Sequence, residues 1–180
     1  MKKIRYIISL LVCCILGLTA CNSKEEAMAV ITEIPCETAG ITFSLNGLWV
    51  IQEEAETKEM GKEGQVVALS TYKEETGSGI QIIYDDLTKT EGGTLVRMDD
   101  YIAGLQEQLK ISKEYKYSCG EVSKEEVYGN YYQTFEAYSA EVGGSQKYYI
   151  RRQDNTMIVI VISIFGEEKI ADILALGKEM

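Results

Sequence analysis

The sequence predicts an α+β fold: an α/β/α sandwich in which helices cover both faces of a central, mainly antiparallel sheet of about six to seven strands. Two observations lead to this prediction. The segment 157–165 is apolar at every position except Ser163, so a strand there needs a cover on both faces. Residues 98–111 and 167–180 carry apolar side chains at helical spacing, which supplies one helix for each face.

Turn residues and alternating apolar residues divide the rest of the chain into predicted strands. Asn46-Gly47 separates the first two strands, and residues 76–78 join the next pair. Gly143-Gly144 and Asp154-Asn155 predict two later hairpins, because these residue types tolerate the positive φ angles of tight turns. In chain order, the predicted strands are residues 41–45, 48–51, 66–72, 79–86, 115–127, 131–140, 146–153 and 156–165.

The two later hairpins also predict which side chains are neighbours across the strands. A two-residue turn in the first hairpin would pair Glu136 with Arg151, whose opposite charges predict a cross-strand ion pair. A two-residue turn in the second hairpin would place Tyr149 beside Ile160. Each turn therefore fixes a register that the fold can test.

The two helical segments differ in how clearly they are marked. In residues 98–111, Asp99 and Asp100 occupy the first turn, where the helix dipole favours negative charge. The apolar positions of this helix are Tyr101, Ile102, Leu105 and Leu109. In residues 167–180 the face predicted to turn inward consists of Ile170, Ile173, Leu174 and Gly177.

The N-terminus has the pattern of an exported protein. Three basic residues precede an apolar run that ends at residue 18, too short for a stable membrane-spanning helix. The segment Leu18-Thr19-Ala20-Cys21 resembles the lipobox of bacterial lipoproteins, which implies cleavage before Cys21 and its lipidation with acyl chains, palmitate among them. We therefore expect a signal peptide at residues 1–20, a lipid-anchored tether at residues 21–39 and a folded domain at residues 40–180. The expected location is the cell membrane, facing outside the cytoplasm.

The charge of the chain restricts its partners. Without residues 1–20 the chain keeps 15 basic and 28 acidic residues, a net charge near −13. Such an acidic protein repels nucleic acid and anionic lipid headgroups, so no nucleic-acid partner is expected. Membrane attachment would come from the acyl chains on Cys21, each buried methylene contributing about 0.8 kcal/mol. A membrane or envelope protein is the remaining macromolecular partner.

Two cysteines, Cys36 and Cys119, would remain unmodified after export. In an oxidising compartment they are candidates for a disulfide. The alternative is two unpaired thiols, one near the tether and one on a strand. Sequence alone leaves both open, because pairing depends on the distance between the two Cα atoms.

Four segments together resemble proteins of the PsbP-like fold. They are Asn46-Gly47-Leu48-Trp49 after an opening strand, Met98-Asp99-Asp100-Tyr101-Ile102 at the start of a helix, Val127-Tyr128-Gly129-Asn130-Tyr131-Tyr132, and Tyr148-Tyr149-Ile150-Arg151-Arg152. The resemblance covers roughly residues 40–180 and lies mainly in the order of the elements. The usual proline before the glycine–tryptophan pair is missing here. The resemblance implies a non-catalytic scaffold that binds or assists other proteins, and no family site residue transfers to this chain.

The chain contains no histidine, which excludes the Ser-His and Cys-His arrangements of nucleophilic catalysis and most zinc sites. Ser70-Thr71-Tyr72-Lys73 matches the S-x-x-K signature, but that chemistry needs a helix, and here the segment is a predicted strand with Ser70 and Lys73 on opposite faces. Asp85, Asp86 and Glu91 lack the spacing of a calcium loop and are expected to be a solvated acidic segment. No metal and no cofactor is expected.

Tyrosines are concentrated in the later strands. Tyr132, Tyr138 and Tyr149 are the candidate binding face, since a tyrosine surface is rigid and amphipathic. The alternative is that tyrosine simply suits half-buried strands. We expect a lipid-anchored extracytoplasmic binding or accessory module without catalytic activity. The alternative function is a carboxylate-dependent hydrolase of cell-envelope glycans, for which Glu53 and Glu54 are one possible pair.

Overall fold

The computed structural model describes residues 24–52, 64–112 and 115–180. These residues form three α-helices and eleven strands in two antiparallel sheets. The helices are α1 (Lys24–Ala29), α2 (Met98–Ile111) and α3 (Ile170–Leu174). The strands are β1 (Ile31–Cys36), β2 (Ile41–Asn46), β3 (Trp49–Ile51), β4 (Gln65–Lys73), β5 (Gly79–Asp86), β6 (Ser118–Cys119), β7 (Ser123–Val127), β8 (Asn130–Ser139), β9 (Gly144–Gln153), β10 (Thr156–Phe165) and β11 (Gly177–Glu179).

The larger sheet has eight strands in the order β3-β4-β5-β10-β9-β8-β6, with β7 also paired to β8. The smaller sheet has three strands, in which β2 lies between β1 and β11. Strand β10 is therefore central, with β5 on one side and β9 on the other.

The side chains of β10 are buried on both faces, as the apolar run predicts. Ile158 and Ile160 belong to one apolar cluster. Val159 and Val161 belong to a second cluster on the opposite face. Because successive residues of a strand point to opposite faces, β10 connects two separate core layers.

Helix α2 covers one of these layers. The four apolar residues predicted for its inner face, Tyr101, Ile102, Leu105 and Leu109, are all buried against the sheet. The hydroxyl of Tyr101 donates a hydrogen bond of 3.0 Å to Oδ2 of Asp85 on β5. Asp99 and Asp100 lie in the first turn, as predicted. Apolar packing and the buried hydrogen bond of Tyr101 thus both hold the helix against the sheet.

The smaller sheet covers the other layer. Ile41, Phe43 and Leu45 alternate along β2 and point into the core, with at most 1% of their surface exposed. Ile173 of α3 adds one side chain to the same layer. The guanidinium of Arg151 on β9 binds this layer as well, since Nη2 donates to the carbonyl oxygen of Ala39 at 3.0 Å.

The predicted α/β/α sandwich is wrong. The structure is mostly β, and the second face of the central sheet is covered mainly by the smaller sheet, with only the five-residue α3 beside it instead of a long helix. Residues 167–180 do not form one closing helix: α3 has five residues, and β11 then pairs with β2. The helical spacing was misleading because the segment is short and its last residues obtain their backbone partners from β2, far away in sequence. The larger sheet also has eight strands instead of six or seven.

The folded region begins before Gly40, the predicted boundary. Residues 31–36, assigned to the tether from sequence, form β1, which pairs with β2 from Ile31 opposite Asn46 to Cys36 opposite Ile41. Most side chains of β1 are exposed, so the segment lacks the alternation that marks a half-buried strand. Pro35 is compatible with this position, because β1 is an edge strand.

The two hairpin predictions have different outcomes. The second is confirmed, since Tyr149 lies opposite Ile160. The first is wrong, because the chain turns through four residues between Ser139 and Gly144 and Glu136 lies opposite Lys147. The shift relative to the predicted register is an even number of residues, so each side chain keeps its predicted face while changing its partner.

The burial of β10 on both faces predicts a large stability effect at its centre. Ile160 is 0% exposed, and the variant Ile160→Ala should lower the free energy of unfolding by about 2–5 kcal/mol through lost transfer energy and an internal cavity. Denaturant unfolding followed by fluorescence of Trp49, the single tryptophan of the chain, measures this change. Val66→Ala is the control, because Val66 is 60% exposed, and it should change stability by about 0.5 kcal/mol. Equal effects of the two variants would contradict the assigned core.

Candidate ligand-binding groove

The three tyrosines selected from sequence do not form one exposed face. Tyr132 and Tyr149 are 0% and 1% exposed, with their rings in an edge-to-face contact at 6.3 Å between centroids. Tyr138 is 50% exposed. All three point to the side of the smaller sheet, which covers Tyr132 and Tyr149 and leaves Tyr138 uncovered. Two of the three are therefore core residues, in line with the alternative that tyrosine suits half-buried strands.

The predicted ion pair between Glu136 and Arg151 does not form. Nε of Arg151 donates to the hydroxyl of Tyr132 at 3.2 Å, and its Nη2 binds the smaller-sheet layer. Burial raises the pKa of Tyr132, and the contact with Arg151 partly offsets this increase. Glu136 instead lies 3.7 Å from Nζ of Lys147. Arg151 has a structural role between the two layers.

The two cysteines are free thiols in this structure and pack on opposite faces of the larger sheet. Burial raises the pKa of Cys36 to about 11. Burial also raises the pKa of Cys119, which contacts the carbonyl oxygen of Gln106. A raised pKa keeps a thiol protonated and makes it a poor nucleophile. Cys21, the predicted lipidation site, lies outside the described residues, as do Glu53 and Glu54.

The carboxylates of the acidic segment, which begins in the last two residues of β5, do not come together at one point. Asp85 is 3% exposed and accepts hydrogen bonds from Gln65 and Tyr101. Asp86 points away and accepts from the backbone N–H of Thr88. Within the described ranges, no group of three His, Cys, Asp or Glu residues is arranged to hold a metal ion.

The S-x-x-K segment lies on β4, as predicted. Lys73 pairs with Glu168 and its Nζ lies 5.1 Å from the ring centroid of Trp49. Ser70 is on the other face, where its hydroxyl donates to Oε1 of Gln52. The lysine cannot act as a base for this serine, because the two side chains point to opposite sides of the sheet.

A groove that the sequence analysis did not identify lies on the face of the larger sheet that carries α2. It has a volume of about 270 Å³, and none of its lining residues belongs to α2. The helix covers one end of this face, and the groove occupies the uncovered end. The lining residues are Gln52, Ser70, Thr71, Tyr72, Thr76, Gly77, Gly79, Ile80, Gln81, Tyr117, Gln146, Ser163 and Phe165.

Side-chain amides and hydroxyls form two connected pairs across the groove floor. On β4 and β5, Nε2 of Gln81 approaches Oγ of Ser70 at 3.5 Å. On β9 and β10, Nε2 of Gln146 donates to Oγ of Ser163 at 3.2 Å. Tyr148 fixes the second pair by donating from its hydroxyl to Oε1 of Gln146 at 2.7 Å. These bonds orient amides whose several donor and acceptor positions suit a hydroxyl-rich ligand.

Two glycines shape the groove. Gly79 lies opposite Tyr72 on one neighbouring strand and opposite Ser163 on the other. A Cβ at Gly79 would come within 2.6 Å of the backbone oxygen of Thr71, so a larger residue would disturb the sheet. Gly144 lies opposite Phe165, and a Cβ there would come within 2.5 Å of the ring. The ring of Phe165 therefore rests directly on the backbone and forms one wall.

The described lining is uncharged. It contains no Asp, Glu, Lys or Arg, although 26% of the residues of the chain are charged. Burial raises the pKa of Tyr117 to about 12, so its hydroxyl is protonated at neutral pH. These residues therefore offer neutral hydrogen-bonding groups and aromatic surface, but neither a carboxylate pair nor an activated nucleophile.

Sequence carried a weak signal of this groove. Ser163 is the single polar residue in the apolar run 157–165, and Gln81 lies between two isoleucines. Polar residues at such positions indicate a part of the sheet face that the helix leaves uncovered. These two polar residues do not reveal a groove by themselves, because the sequence does not show which residues of β4 and β9 lie beside Gln81 and Ser163.

Comparison with known proteins identifies the fold. The solution structure of the cyanobacterial PsbP protein (CyanoP) from Synechocystis sp. PCC 6803 matches with a TM-score of 0.56 and 11% sequence identity, covering 91% of this chain and 99% of that chain. The chain has a PsbP-like fold. This confirms the resemblance drawn from sequence as far as the fold is concerned.

Weaker structural similarities were also found. The Ran-binding protein Mog1p from Saccharomyces cerevisiae matches with a TM-score of 0.44 and 11% identity, covering 79% of this chain and 81% of that chain. A protein from Bacteroides thetaiotaomicron matches with a TM-score of 0.32 and 12% identity, covering 79% of this chain and 46% of that chain. No protein-family model and no curated protein sequence matches the chain.

Among residues 24–52, 64–112 and 115–180, no helix has the length and apolar character needed to cross a membrane.

Glu168 stabilises the rim of the groove. One of its carboxylate oxygens pairs with Lys73, and the other accepts from the hydroxyl of Thr76 at 2.9 Å. Burial tends to raise the pKa of Glu168, but hydrogen bonds from Lys73, Ser78 and Thr76 outweigh burial and lower the pKa below its ordinary value of 4.5. The carboxylate thus joins the segment between β4 and β5 to the segment before α3.

This arrangement predicts a pH-dependent contribution to stability. The lowered pKa means that the ionised form of Glu168 favours the folded state above about pH 4.5, and that this advantage is lost as the pH falls further. Glu168→Gln should lower the free energy of unfolding by about 1 kcal/mol at pH 7, with a smaller difference at low pH. Denaturant unfolding at several pH values measures both quantities. Glu167→Gln, at an exposed position, is the control, and an equal loss in both variants would contradict the role of Glu168.

Proposed function

We propose that the chain is a lipid-anchored, extracytoplasmic binding or accessory module that holds its ligand in the uncharged groove and does not catalyse a reaction. The observation that supports this proposal is the composition of the groove: amide, hydroxyl and aromatic groups on a rigid sheet, without a charged side chain among the described lining residues. Concave sites with a few oriented polar groups and aromatic walls are typical of ligand binding.

The rigidity of the groove supports binding as its role. Four of its polar residues lie on β4, β5, β9 and β10, and each lies in a regularly paired part of its strand. A site on paired strands loses little conformational entropy when a ligand enters, because its side chains are already oriented. The resemblance to PsbP-like proteins also implies a non-catalytic scaffold that binds or assists other proteins.

The same residues support the non-catalytic part of the proposal. Hydrolysis of a glycosidic bond normally requires two carboxyl groups on either side of it, and the described lining provides none. The buried carboxylate of Asp85 is engaged by Tyr101 and Gln65 on another part of the sheet face. The groove therefore favours a binding module over the alternative hydrolase.

The lipid anchor is supported by the N-terminal sequence alone. Basic residues, a short apolar run and the segment Leu18-Thr19-Ala20-Cys21 are the features of a lipoprotein signal peptide. Attachment would then depend on acyl chains, because the acidic chain does not favour anionic membrane surfaces.

The anchor is tested directly with the variant Cys21→Ala. In cells supplied with radiolabelled palmitate, we expect the unaltered protein to take up label and to sediment with membranes. The alanine variant should take up no label and leave the membrane fraction, because residue 21 can no longer carry an acyl chain. Labelling and sedimentation that do not change in the variant would refute lipidation at Cys21.

The binding function is tested by recovering whatever occupies the groove. Intact protein is purified from detergent-solubilised membranes, and co-purifying molecules are identified by mass spectrometry. A groove ligand should be lost from Gln81→Leu and retained by Gln133→Leu. Gln133 is the matched control because it lies on β8 of the same sheet, outside the groove lining. A set of co-purifying molecules that is the same in both variants, or empty in all, would refute a binding function for the groove.

A further inference from the structure

We infer that the ligand of the groove is a neutral saccharide, bound through its hydroxyl groups and the apolar face of a sugar ring. This inference rests on the proposed function, since it names the ligand class of the same site. Three properties of the described lining residues lead to it: absence of charge, orientation of amides and hydroxyls, and aromatic surface.

The absence of charged side chains among the described lining residues disfavours ionic ligands. An anion such as a phosphorylated metabolite needs Lys, Arg or a set of free backbone N–H groups. A metal cation usually needs carboxylate ligands. The described lining has no charged side chain, and the net charge of −10 for the chain opposes anions further. A neutral ligand is therefore favoured.

The polar groups match a ligand with many hydroxyls. Gln81 and Gln146 each carry an amide, which both donates and accepts, and each is oriented by a serine hydroxyl. Nε2 of Gln146 already donates to Ser163 and its Oε1 already accepts from Tyr148, so each of these two atoms keeps one further hydrogen-bonding position for a hydroxyl of a sugar ring. The amides lie on β5 and β9, on either side of β10, which provides contacts to both edges of a bound ring.

Aromatic groups supply the apolar contact. The ring of Phe165 packs on Gly144, and Tyr72 lies on β4. Gly79, opposite Tyr72, has no side chain and leaves space beside it. A sugar ring has an apolar face of C–H groups that packs on aromatic rings. The volume of about 270 Å³ is slightly below the roughly 300 Å³ at which small-molecule pockets begin. This size suits one or two sugar rings of a longer glycan.

The backbone of the groove argues against a peptide added as an extra strand. Strand addition needs unpaired N–H and C=O groups at a sheet edge. The floor is formed by β4, β5, β10 and β9, each of which has a paired strand on both sides. Addition of a further strand to the floor is therefore disfavoured.

The experiment is an array of neutral and acidic glycans probed with the full-length protein in a detergent that has no sugar headgroup. Hits are then titrated by calorimetry. We expect binding to neutral glycans and none to acidic glycans of equal length, such as oligogalacturonates. Gln81→Leu should weaken the affinity by about tenfold or more, because it removes the hydrogen bonds between the Gln81 amide and the bound sugar hydroxyls. Gln133→Leu should leave the affinity within about twofold.

Ser163→Ala is the second groove variant, because it removes one oxygen and is less disruptive to the sheet than the Gln81 substitution. It should also weaken glycan binding while the melting temperature remains close to that of the unaltered protein. Binding to acidic glycans alone, or neutral-glycan binding that neither groove variant changes, would overturn the inference. If no neutral glycan binds but a co-purifying molecule depends on Gln81, the binding function stands and the saccharide class is wrong. If no neutral glycan binds and no co-purifying molecule depends on Gln81, the saccharide inference and the proposed binding function both fail.

Discussion

Strand β10 places the main constraint on this fold, because its side chains are apolar on both faces and each face must be covered. Ile160 is buried toward the smaller sheet, and Val159 is buried toward α2. Each covering element is itself fixed by contacts with the larger sheet, the helix through Tyr101 and Asp85 and the smaller sheet through Arg151. The other strands of the larger sheet follow on either side of β10, beginning with β5 and β9.

The groove is a consequence of the unequal sizes of the sheet and its helical cover. Helix α2 has 14 residues, a length of about 21 Å. The strands β8, β9 and β10 have ten residues each, a length of about 33 Å. Within the part of the chain that the structure describes, this helix therefore covers only part of the face. At that end the inward positions carry Gln146 and Ser163 instead of aliphatic side chains, so water and polar ligands are both acceptable neighbours.

The tyrosine-rich strands are explained by packing rather than by recognition. Tyr132 and Tyr149 are buried beneath the smaller sheet, and Tyr148 is buried beneath α2, stacked on Phe135 at 4.6 Å between centroids. Burial raises the pKa of each of these tyrosines, so they are neutral core residues. The groove that we propose as the binding site is instead lined by amide and hydroxyl groups, which composition alone does not distinguish from an ordinary polar surface.

The sequence by itself determined the features that depend on local pattern: the double-sided burial of residues 157–165, the helix at residues 98–111 and the register of the hairpin at residues 154–155. Tertiary structure decided which element covers the second face, where the fold begins and which residues line the groove. The physical reason is that periodicity reports how a side chain is buried, whereas the partner of an edge strand is set by contacts between distant segments. Strand β11 pairs with β2 across most of the chain length, and no local pattern near residue 177 records that pairing.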